Sequence, residues 1–266
     1  MKTLSSALGI EAEARRSSGL VVALVGAGGK TSAAFVLARE GSARRVILTT
    51  TTMIRDPRLE AGRVFDRVAM DAELGIRAAP RPGAGPLIIA SGFDEAAGKL
   101  RGIAVDRVEA LRAFCDLLLV EADGSRGLSV KAPASWEPAV PACADLVVGV
   151  IGLDCLGAAL GPETAHRPEV FGPLAGCAAG ERIGVEHLAR LAFSPEGLFK
   201  GAPKDARCAI LLNRSDRIVP EAARELVDRL AEGRGRPELA VVCSLRDGAA
   251  RVGMSRALGR AAEASA

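Results

Sequence analysis

A glycine-rich turn near the start of the chain carries the residue types that bind a polyphosphate. After the apolar run 20–25, the sequence continues Gly26-Ala27-Gly28-Gly29-Lys30-Thr31-Ser32. Glycines let the backbone N–H groups of a turn point at an anion, and a helix that begins there adds its positive end. Lys30 is expected to reach the β- and γ-phosphates, and Thr31 to ligate Mg²⁺. We predict that residues 26–32 bind Mg²⁺ with ATP or GTP.

This turn departs from the complete phosphate-loop motif, which has glycine where this chain has Leu24. What remains is the shorter spacing Gly26-x-x-Gly29-Lys30-Thr31, followed by the helix-compatible run 32–38. An apolar strand before the turn and a helix after it favour phosphate binding. The alternative is a tight strand-to-helix turn whose lysine is only solvated.

Two carboxylates follow the apolar run 117–120, where another buried strand is predicted. Glu121 is placed to hold Mg²⁺, and Asp123 to bind the metal or orient a water molecule. Because they are two positions apart, their side chains should leave the strand on one side. In the loop beyond, Arg126 or Lys131 is expected to neutralise charge in a transition state. The alternative is that the carboxylates cap a loop or pair with arginine, and that the two cations are solvated.

Four threonines and one histidine are further candidates. Residues 49–52 are all threonine and fall where a strand should end beside the glycine turn. Their hydroxyls, with Thr50 taken as the metal ligand, could bind Mg²⁺, although threonine is also a common strand residue. His166 is a candidate acid, base or ligand, with a structural or solvated side chain as the alternative.

Two loops near the C-terminal end resemble the guanine-recognition loops of GTPases. Asn213-Arg214-Ser215-Asp216 follows an apolar strand and has Arg where those proteins have Lys. Asp216 is expected to accept hydrogen bonds from the ring N–H and the exocyclic amine of guanine. Ser244, after the next strand, falls where GTPases place the loop that backs the base. The alternative is an ordinary Asx turn after a strand.

Strand and helix patterns alternate along the chain, which predicts a mostly parallel sheet covered by helices on both faces. Strands are predicted at residues 20–25, 45–49, 87–90, 117–120, 146–151, 208–212 and 239–243. Helices are predicted at residues 106–114, 185–193 and 220–232. We therefore predict an α/β fold: one three-layer P-loop NTPase-like domain over residues 1–266, with residues 157–206 as a helical insertion.

Composition narrows the classes of function. The 266 residues include 35 Lys and Arg against 32 Asp and Glu, and aromatic residues are limited to seven Phe and one Trp. With few stacking residues and no long basic block, a nucleic-acid partner is not expected. Early acidic residues and the lack of a long apolar run predict a cytoplasmic protein that has no membrane partner. The six cysteines form no C-x-x-C pair and are expected to be reduced and mostly buried.

Several motifs taken together resemble the YqeC family of selenium-dependent hydroxylase accessory proteins. They are Val25-Gly26-Ala27-Gly28-Gly29-Lys30-Thr31, Thr49-Thr50-Thr51-Thr52, Glu121-Ala122-Asp123-Gly124-Ser125-Arg126, Lys131 to Pro138, Gly152-Leu153-Asp154, His166-Arg167-Pro168-Glu169 and Leu212-Asn213. Met53 departs from the family pattern, in which histidine is expected after the threonines. The resemblance implies a role in maturing molybdenum hydroxylases, with such a hydroxylase or its cofactor-assembly proteins as partners.

The leading hypothesis is an NTPase that couples Mg²⁺-dependent hydrolysis to assembly of a metallo-hydroxylase. A second hypothesis is a kinase or ATP-dependent ligase that acts on a small acceptor, because the short glycine turn is similar to that of the Mur ligases. A third is a nucleotide-dependent switch that does not hydrolyse its ligand. A metal-delivery chaperone is not expected, since the chain has no histidine-rich or C-x-x-C tract.

Overall fold

Apolar runs form parallel strands at the centre of the structure. The computed structural model describes residues 2–14, 19–41, 44–56, 67–70, 80–246 and 248–258. Its strands are β1 (Leu20–Gly26), β2 (Val46–Thr50), β3 (Met53–Arg55), β4 (Val68–Ala69), β5 (Leu87–Ile89), β6 (Gly92–Asp94), β7 (Lys99–Arg101), β8 (Leu117–Glu121), β9 (Val130–Lys131), β10 (Leu146–Gly152), β11 (Ala165–His166), β12 (Arg207–Asn213), β13 (Leu239–Arg246) and β14 (Ala249–Ala257). Its helices are α1 (Leu4–Ala7), α2 (Ile10–Glu13), α3 (Lys30–Glu40), α4 (Val108–Arg112), α5 (Pro168–Ala175), α6 (Val185–Phe193) and α7 (Pro220–Glu232).

In the described residues, nine strands form one sheet in the order β14-β13-β12-β10-β1-β8-β2-β5-β4. Every neighbouring pair is parallel except β13 and β14, which are antiparallel. Strands β3, β7 and β6 form a small antiparallel sheet, and β9 pairs with β11. The carboxyl ends of the parallel strands therefore meet at one edge of the main sheet, where ligand sites of α/β proteins lie.

Alternate residues of the central strands face two separate apolar cores. On β1, Val21 and Val25 face the core that holds Leu111, Phe171 and Leu226 from the helices on one side. The side chains of Val22 and Leu24 face the core that contains residues of α1 and α3 on the other. Since each buried Val or Leu side chain contributes about 1.5–3 kcal/mol, β1 is held from both faces. The result is the predicted three-layer α/β arrangement.

The predicted strands of the main sheet are confirmed to within one residue at each end, except that β13 runs three residues further, to Arg246, and α6 and α7 span the predicted residues. The predicted helix at 106–114 is shorter, because its first turn is a 3-10 helix at Val105–Arg107. Segment 157–206 contains α5 and α6 together with the strand β11, which pairs with β9. The insertion is therefore helical only in part. Strand β14 was not predicted, because its residues are half-buried or exposed and give no apolar run.

No helix within the described ranges has both the length and the apolar character needed to cross a membrane.

Candidate phosphate-binding site

The glycine turn lies at the carboxyl edge of the sheet, between the ends of two neighbouring strands. Strand β1 pairs with β8 on one side, with Leu24 opposite Glu121. On the other side it pairs with β10, with Gly26 opposite Val150. The turn after β1, the acidic residues after β8 and the loop after β10 are therefore brought together by strand register alone.

Close backbone contacts explain why glycines occupy this turn. Gly26, Gly28 and Gly29 have φ angles of 92°, 85° and 128°, a region that favours glycine. A Cβ on Gly28 would lie 2.1 Å from the amide nitrogen of Gly152. A Cβ on Gly26 would lie 2.4 Å from the carbonyl oxygen of Val150. The turn thus lies against the end of β10, and there is no room for a side chain at Gly26 or Gly28.

The backbone amides of the turn divide into two groups. Those of Gly26, Ala27 and Gly28 donate to Asp123 Oδ2, the Val150 carbonyl and the Leu128 carbonyl, at 2.9, 2.9 and 2.8 Å. These three predicted phosphate-binding residues therefore use their N–H groups to hold the turn in place.

The next four amides, by contrast, donate to no acceptor within the described ranges. They belong to Gly29, Lys30, Thr31 and Ser32, at the N-terminus of α3. Unpaired N–H groups at a helix N-terminus form an anion site with the positive end of the helix dipole. The geometry therefore favours residues 29–32 as the phosphate-binding part of the predicted turn.

Lys30 is buried beneath the turn. Its Nζ atom donates to the Gly26 carbonyl at 2.5 Å and lies 3.0 Å from Asp123 Oδ1. Both charged side chains are almost fully enclosed, with exposed fractions of 1% and 2%. The ammonium group is therefore held between the carbonyl at the start of the turn and the carboxylate of Asp123.

Asp123 links the turn to a second buried cation. Its Oδ2 atom accepts the Gly26 amide and lies 3.1 Å from Lys131 Nζ. Its Oδ1 atom is close to Lys30 but accepts no hydrogen bond from the described residues, because the ammonium is not aligned with it. Asp123 thus lies between two lysines and keeps the Oδ1 acceptor without a hydrogen bond in the described residues, which suits the predicted orientation of a water molecule.

Thr31 and Glu121 form the pair that fits a magnesium ion. The Thr31 hydroxyl donates to Glu121 Oε2 at 2.8 Å. Burial raises the pKa of Glu121, while the charge of Lys30 and the Thr31 hydrogen bond oppose this rise. Hydroxyl and carboxylate oxygens are the ligands that Mg²⁺ prefers, and the ion keeps several waters beside one or two such groups. A divalent cation here would replace the proton that burial favours on Glu121.

The threonine hydroxyls beside the site join strands. Thr50 Oγ1 donates to the Glu121 carbonyl at 2.8 Å and accepts the Thr52 amide at 3.0 Å. Thr49 and Thr51 donate to the carbonyls of Ile89 and Ala139, at 2.8 and 3.0 Å. Metal ligation by Thr50 therefore stays a prediction, and its contacts do not favour it.

The two predicted base loops meet at the turn through one amide side chain. Asn213 Nδ2 donates to the Gly28 carbonyl at 2.7 Å, and its Oδ1 accepts the Leu245 amide at 3.0 Å. Next to this bridge, Ser244 Oγ donates to Asp216 Oδ1 at 2.6 Å. The structure therefore places Asn213, Ser244 and Asp216 together on the sheet edge that carries the turn.

Arg214 is positioned by two residues, Ser129 and Asp154, for which the sequence predicted no such role. Its φ angle is 63°, and its Nη1 atom donates to Ser129 Oγ at 2.7 Å and to Asp154 Oδ2 at 2.9 Å. The Ser129 carbonyl in turn accepts the Gly152 amide at 2.7 Å. This cluster ties the loops after β8, β10 and β12 around the glycine turn. An acidic residue just after a predicted strand end, as at Asp154, was the available signal.

The remaining candidates lie on the loops beyond Asp123. Arg126 is exposed, has a φ angle of 51° and has no hydrogen-bond or ion-pair partner in the described part of the chain. His166 lies opposite Lys131 in the β9–β11 pair. Burial lowers the pKa of His166, and the charges of nearby arginines and Lys131 lower it further, so the ring is neutral at pH 7.

A separate group of metal-type ligands lies at the start of α6. Donor atoms of Cys177, Glu181 and His187 lie within 4.8 Å of one another. However, His187 Nδ1 accepts the Gly184 amide at 3.0 Å, which places a ring proton on Nε2, the atom that faces Glu181. Because that nitrogen has no free lone pair, the group does not offer a three-ligand metal site.

Comparison with known proteins agrees with the motif order. The sequence model of the YqeC protein family matches residues 22–169, which include the turn, Glu121, Asp123 and Arg167. The chain belongs to the YqeC family. It is 35% identical over 200 residues to the protein named "Uncharacterized protein YqeC" of Escherichia coli (strain K12), covering 73% of this chain and 75% of that protein. No solved structure matches the chain.

Proposed function

We propose that this YqeC protein binds a Mg²⁺–purine nucleoside triphosphate at the turn and hydrolyses it, with GTP preferred. The observation that carries the proposal is the set of four unpaired amides at residues 29–32. They lie above the buried Lys30 ammonium and beside the Thr31–Glu121 pair. Asp123 would orient the attacking water, and Arg126 would approach the γ-phosphate from the exposed loop.

Guanine preference rests on the loops that Asn213 connects. The bridge from the Gly28 carbonyl to the Leu245 amide fixes both loops relative to the phosphate site. Asp216 then offers two carboxylate oxygens at the surface, which could accept both donors of guanine in place of Ser244 and Arg246. Adenine presents an acceptor where guanine has its ring N–H, and so would pair poorly.

Calorimetric titration with GTP, ATP and CTP in the presence of Mg²⁺ tests the proposal. We expect Lys30→Ala to abolish binding of all three and Asp216→Ala to weaken GTP alone. Lys204→Ala, on the exposed surface, is the matched control and should bind as the parent does. Equal losses for all bases in Asp216→Ala would remove the guanine assignment, and unchanged binding in Lys30→Ala would remove the site.

A second candidate activity is phosphoryl transfer to a small acceptor, as a kinase or ATP-dependent ligase. The open Oδ1 atom of Asp123 favours it, because a carboxylate that can orient water can also accept the proton of an acceptor group. Hydrolysis that stays slow until an acceptor is added would support this activity. Tight binding with no turnover under any condition would instead support a non-hydrolytic switch.

The cellular role that we propose is maturation of selenium-dependent molybdenum hydroxylases, as the family resemblance implies. A strain that lacks the gene should lose activity of such a hydroxylase, and the parent gene should restore it. The gene carrying Lys30→Ala should not restore activity although the protein is present at normal level. Full restoration by that variant would separate the cellular role from nucleotide binding.

A further inference from the structure

Trp136 is a large aromatic residue whose side chain is exposed, although the residues shortly before it are buried. It is the single tryptophan of the chain, and 75% of its surface is exposed although residues 132–134 are buried. Leaving such a ring in water forgoes the free energy of burying its apolar surface. The guanidinium of Arg167 lies over the ring, 5.7 Å from its centroid. One cation therefore fixes the indole without covering it.

Arg167 is itself held by a chain of ion pairs. Its Nη1 atom lies 2.6 Å from Glu137 Oε2, which is 2.8 Å from Lys131 Nζ. Lys131 is fully enclosed, and it also donates to the Gly124 carbonyl at 2.7 Å. Its contact with Asp123 continues the chain to the phosphate site. The indole and guanidinium thus form a platform that ion pairs connect to the reacting end of the proposed nucleotide site.

Cations outnumber carboxylates around the platform: the charges of Arg167, Lys131 and Arg126 act on His166 against that of Glu137 alone. Pairing of β9 with β11 places His166 opposite Lys131, directly before Arg167. Arg126 lies close enough for its charge to act on His166, and its guanidinium is exposed and without an ion-pair partner in the described ranges. An anion near the platform would therefore meet a free arginine.

We propose that Trp136, Arg167 and Arg126 form a second ligand site, which takes a planar heteroaromatic compound that carries a phosphate or carboxylate group. The ring of the ligand stacks on the indole, and its anionic group binds Arg126. Bases stack on exposed aromatic side chains in the same way in single-stranded nucleic-acid complexes, because every planar heteroaromatic ring has a π-face. Ser135 and Glu137 flank the indole in sequence, so the ring is not part of a continuous apolar segment suited to docking a protein.

This inference goes beyond the proposed function, because the second site does not need nucleotide to form. Its place beyond Asp123 suits an acceptor or effector of the nucleotide reaction. The two proposals can fail separately: the glycine turn depends on Lys30, whereas the platform depends on Trp136, which has no part in the nucleotide site.

The single tryptophan makes the test direct. Protein labelled with ¹⁵N gives one indole N–H signal, which reports on Trp136 alone. We would titrate riboflavin 5′-phosphate, riboflavin and glycerol 3-phosphate, which carry the ring with the anion, the ring only and the anion only. The expected result is a saturable shift with riboflavin 5′-phosphate, at least tenfold weaker binding of riboflavin, and no shift with glycerol 3-phosphate.

Variants separate the platform from other anion sites. Arg126→Ala should weaken binding of riboflavin 5′-phosphate at least tenfold, and Trp136→Ala should abolish it by calorimetry. Both side chains are exposed, so neither change should unfold the protein. Arg251→Ala removes an exposed arginine from β14, five strands from β8, and should bind as the parent does. Lys30→Ala should also retain this binding while it loses nucleotide.

Three results would overturn the second site. One is the absence of a saturable indole shift with riboflavin 5′-phosphate. Another is unchanged affinity in Trp136→Ala, and the last is an equal loss in Arg126→Ala and Arg251→Ala. Loss of binding in Lys30→Ala would also count against it, because the probe would then be occupying the glycine turn.

Discussion

Two aspartates at the same edge of the sheet have opposite surroundings. Asp123 is 2% exposed and lies between Lys30 and Lys131. Asp216 is 26% exposed, and it accepts the Ser244 hydroxyl and pairs with Arg246 at 2.5 Å. The Ser244 hydrogen bond and the charge of Arg246 lower the pKa of Asp216, so it is ionised at neutral pH.

These different surroundings suit the two aspartates to two parts of the proposed activity, which are polyphosphate binding and base selection. A buried carboxylate between two cations is part of the fold, because removing it leaves charges that water cannot reach. A carboxylate at the surface contributes little to stability and remains available to a ligand. A change at Asp123 should therefore alter both polyphosphate binding and stability. A change at Asp216 should alter base selectivity and leave stability unchanged.

The largest effect is expected from Asp123→Ala. The change leaves Lys30 and Lys131 buried without their shared partner and should cost about 3–5 kcal/mol of unfolding free energy. Denaturant unfolding measures this loss. Asp216→Ala is the control at the exposed position and should change stability by less than about 0.5 kcal/mol. Similar losses for both variants would contradict the comparison.

Gly28→Ala is expected to be nearly as damaging. The new Cβ would lie 2.1 Å from the Gly152 amide nitrogen, at a φ of 85°, which should cost about 3 kcal/mol and disrupt the turn. Gly83→Ala is a matched control, because Gly83 has a φ of 77° and nothing lies within 4 Å of its Cβ position. That variant should lose only about 1 kcal/mol, the strain of the backbone alone. Thermal unfolding and GTP binding would be measured on both.

Glu121→Gln should alter the metal and pH dependence more than stability. Because burial raises the pKa of Glu121, the folded protein holds that proton more tightly than the unfolded chain does. Without ligand, stability should therefore fall as pH rises through the raised pKa, and Mg²⁺-dependent GTP affinity should increase over the same range. In the Gln variant both trends should disappear. A parent protein with pH-independent Mg²⁺ affinity between pH 5 and 8 would argue against metal binding at Glu121.

The smallest effect is expected from Asp216→Asn, which keeps the shape of the side chain. It should reduce GTP affinity about tenfold, since one carboxylate acceptor becomes a donor, and should leave ATP affinity and unfolding free energy unchanged. Competition between GTP and ATP for a fluorescent nucleotide measures this selectivity. Parallel loss of both nucleotides would show that Asp216 acts on the fold and not on the base.

Local patterns were sufficient to predict the strands and the glycine turn. Continuous apolar runs fix the strand positions, and the spacing of glycines before Lys30 fixes the turn. Edge strand β14 was missed because one of its faces meets water, so its sequence has no apolar run. Hydrophobic pattern alone cannot identify such a strand.

The partners of the charged residues could not be predicted, because they depend on contacts between segments that are far apart in the sequence. Lys131 was expected on a solvated or acceptor-binding loop, yet it is enclosed and paired with Asp123 and Glu137. Sequence spacing likewise gave no sign that Ala27 donates its amide to strand β10 and Gly28 to the loop after β8. These contacts depend on strand order in the sheet, which a motif does not encode.

Strand β14 has a consequence for association between copies of the chain. It ends the sheet as an antiparallel strand, and the side chains of Arg251 and Arg256 on it are exposed. Charged side chains on an edge strand oppose the addition of a strand from another molecule, since like charges would be brought together. These arginines therefore disfavour edge-to-edge pairing of two sheets at this margin.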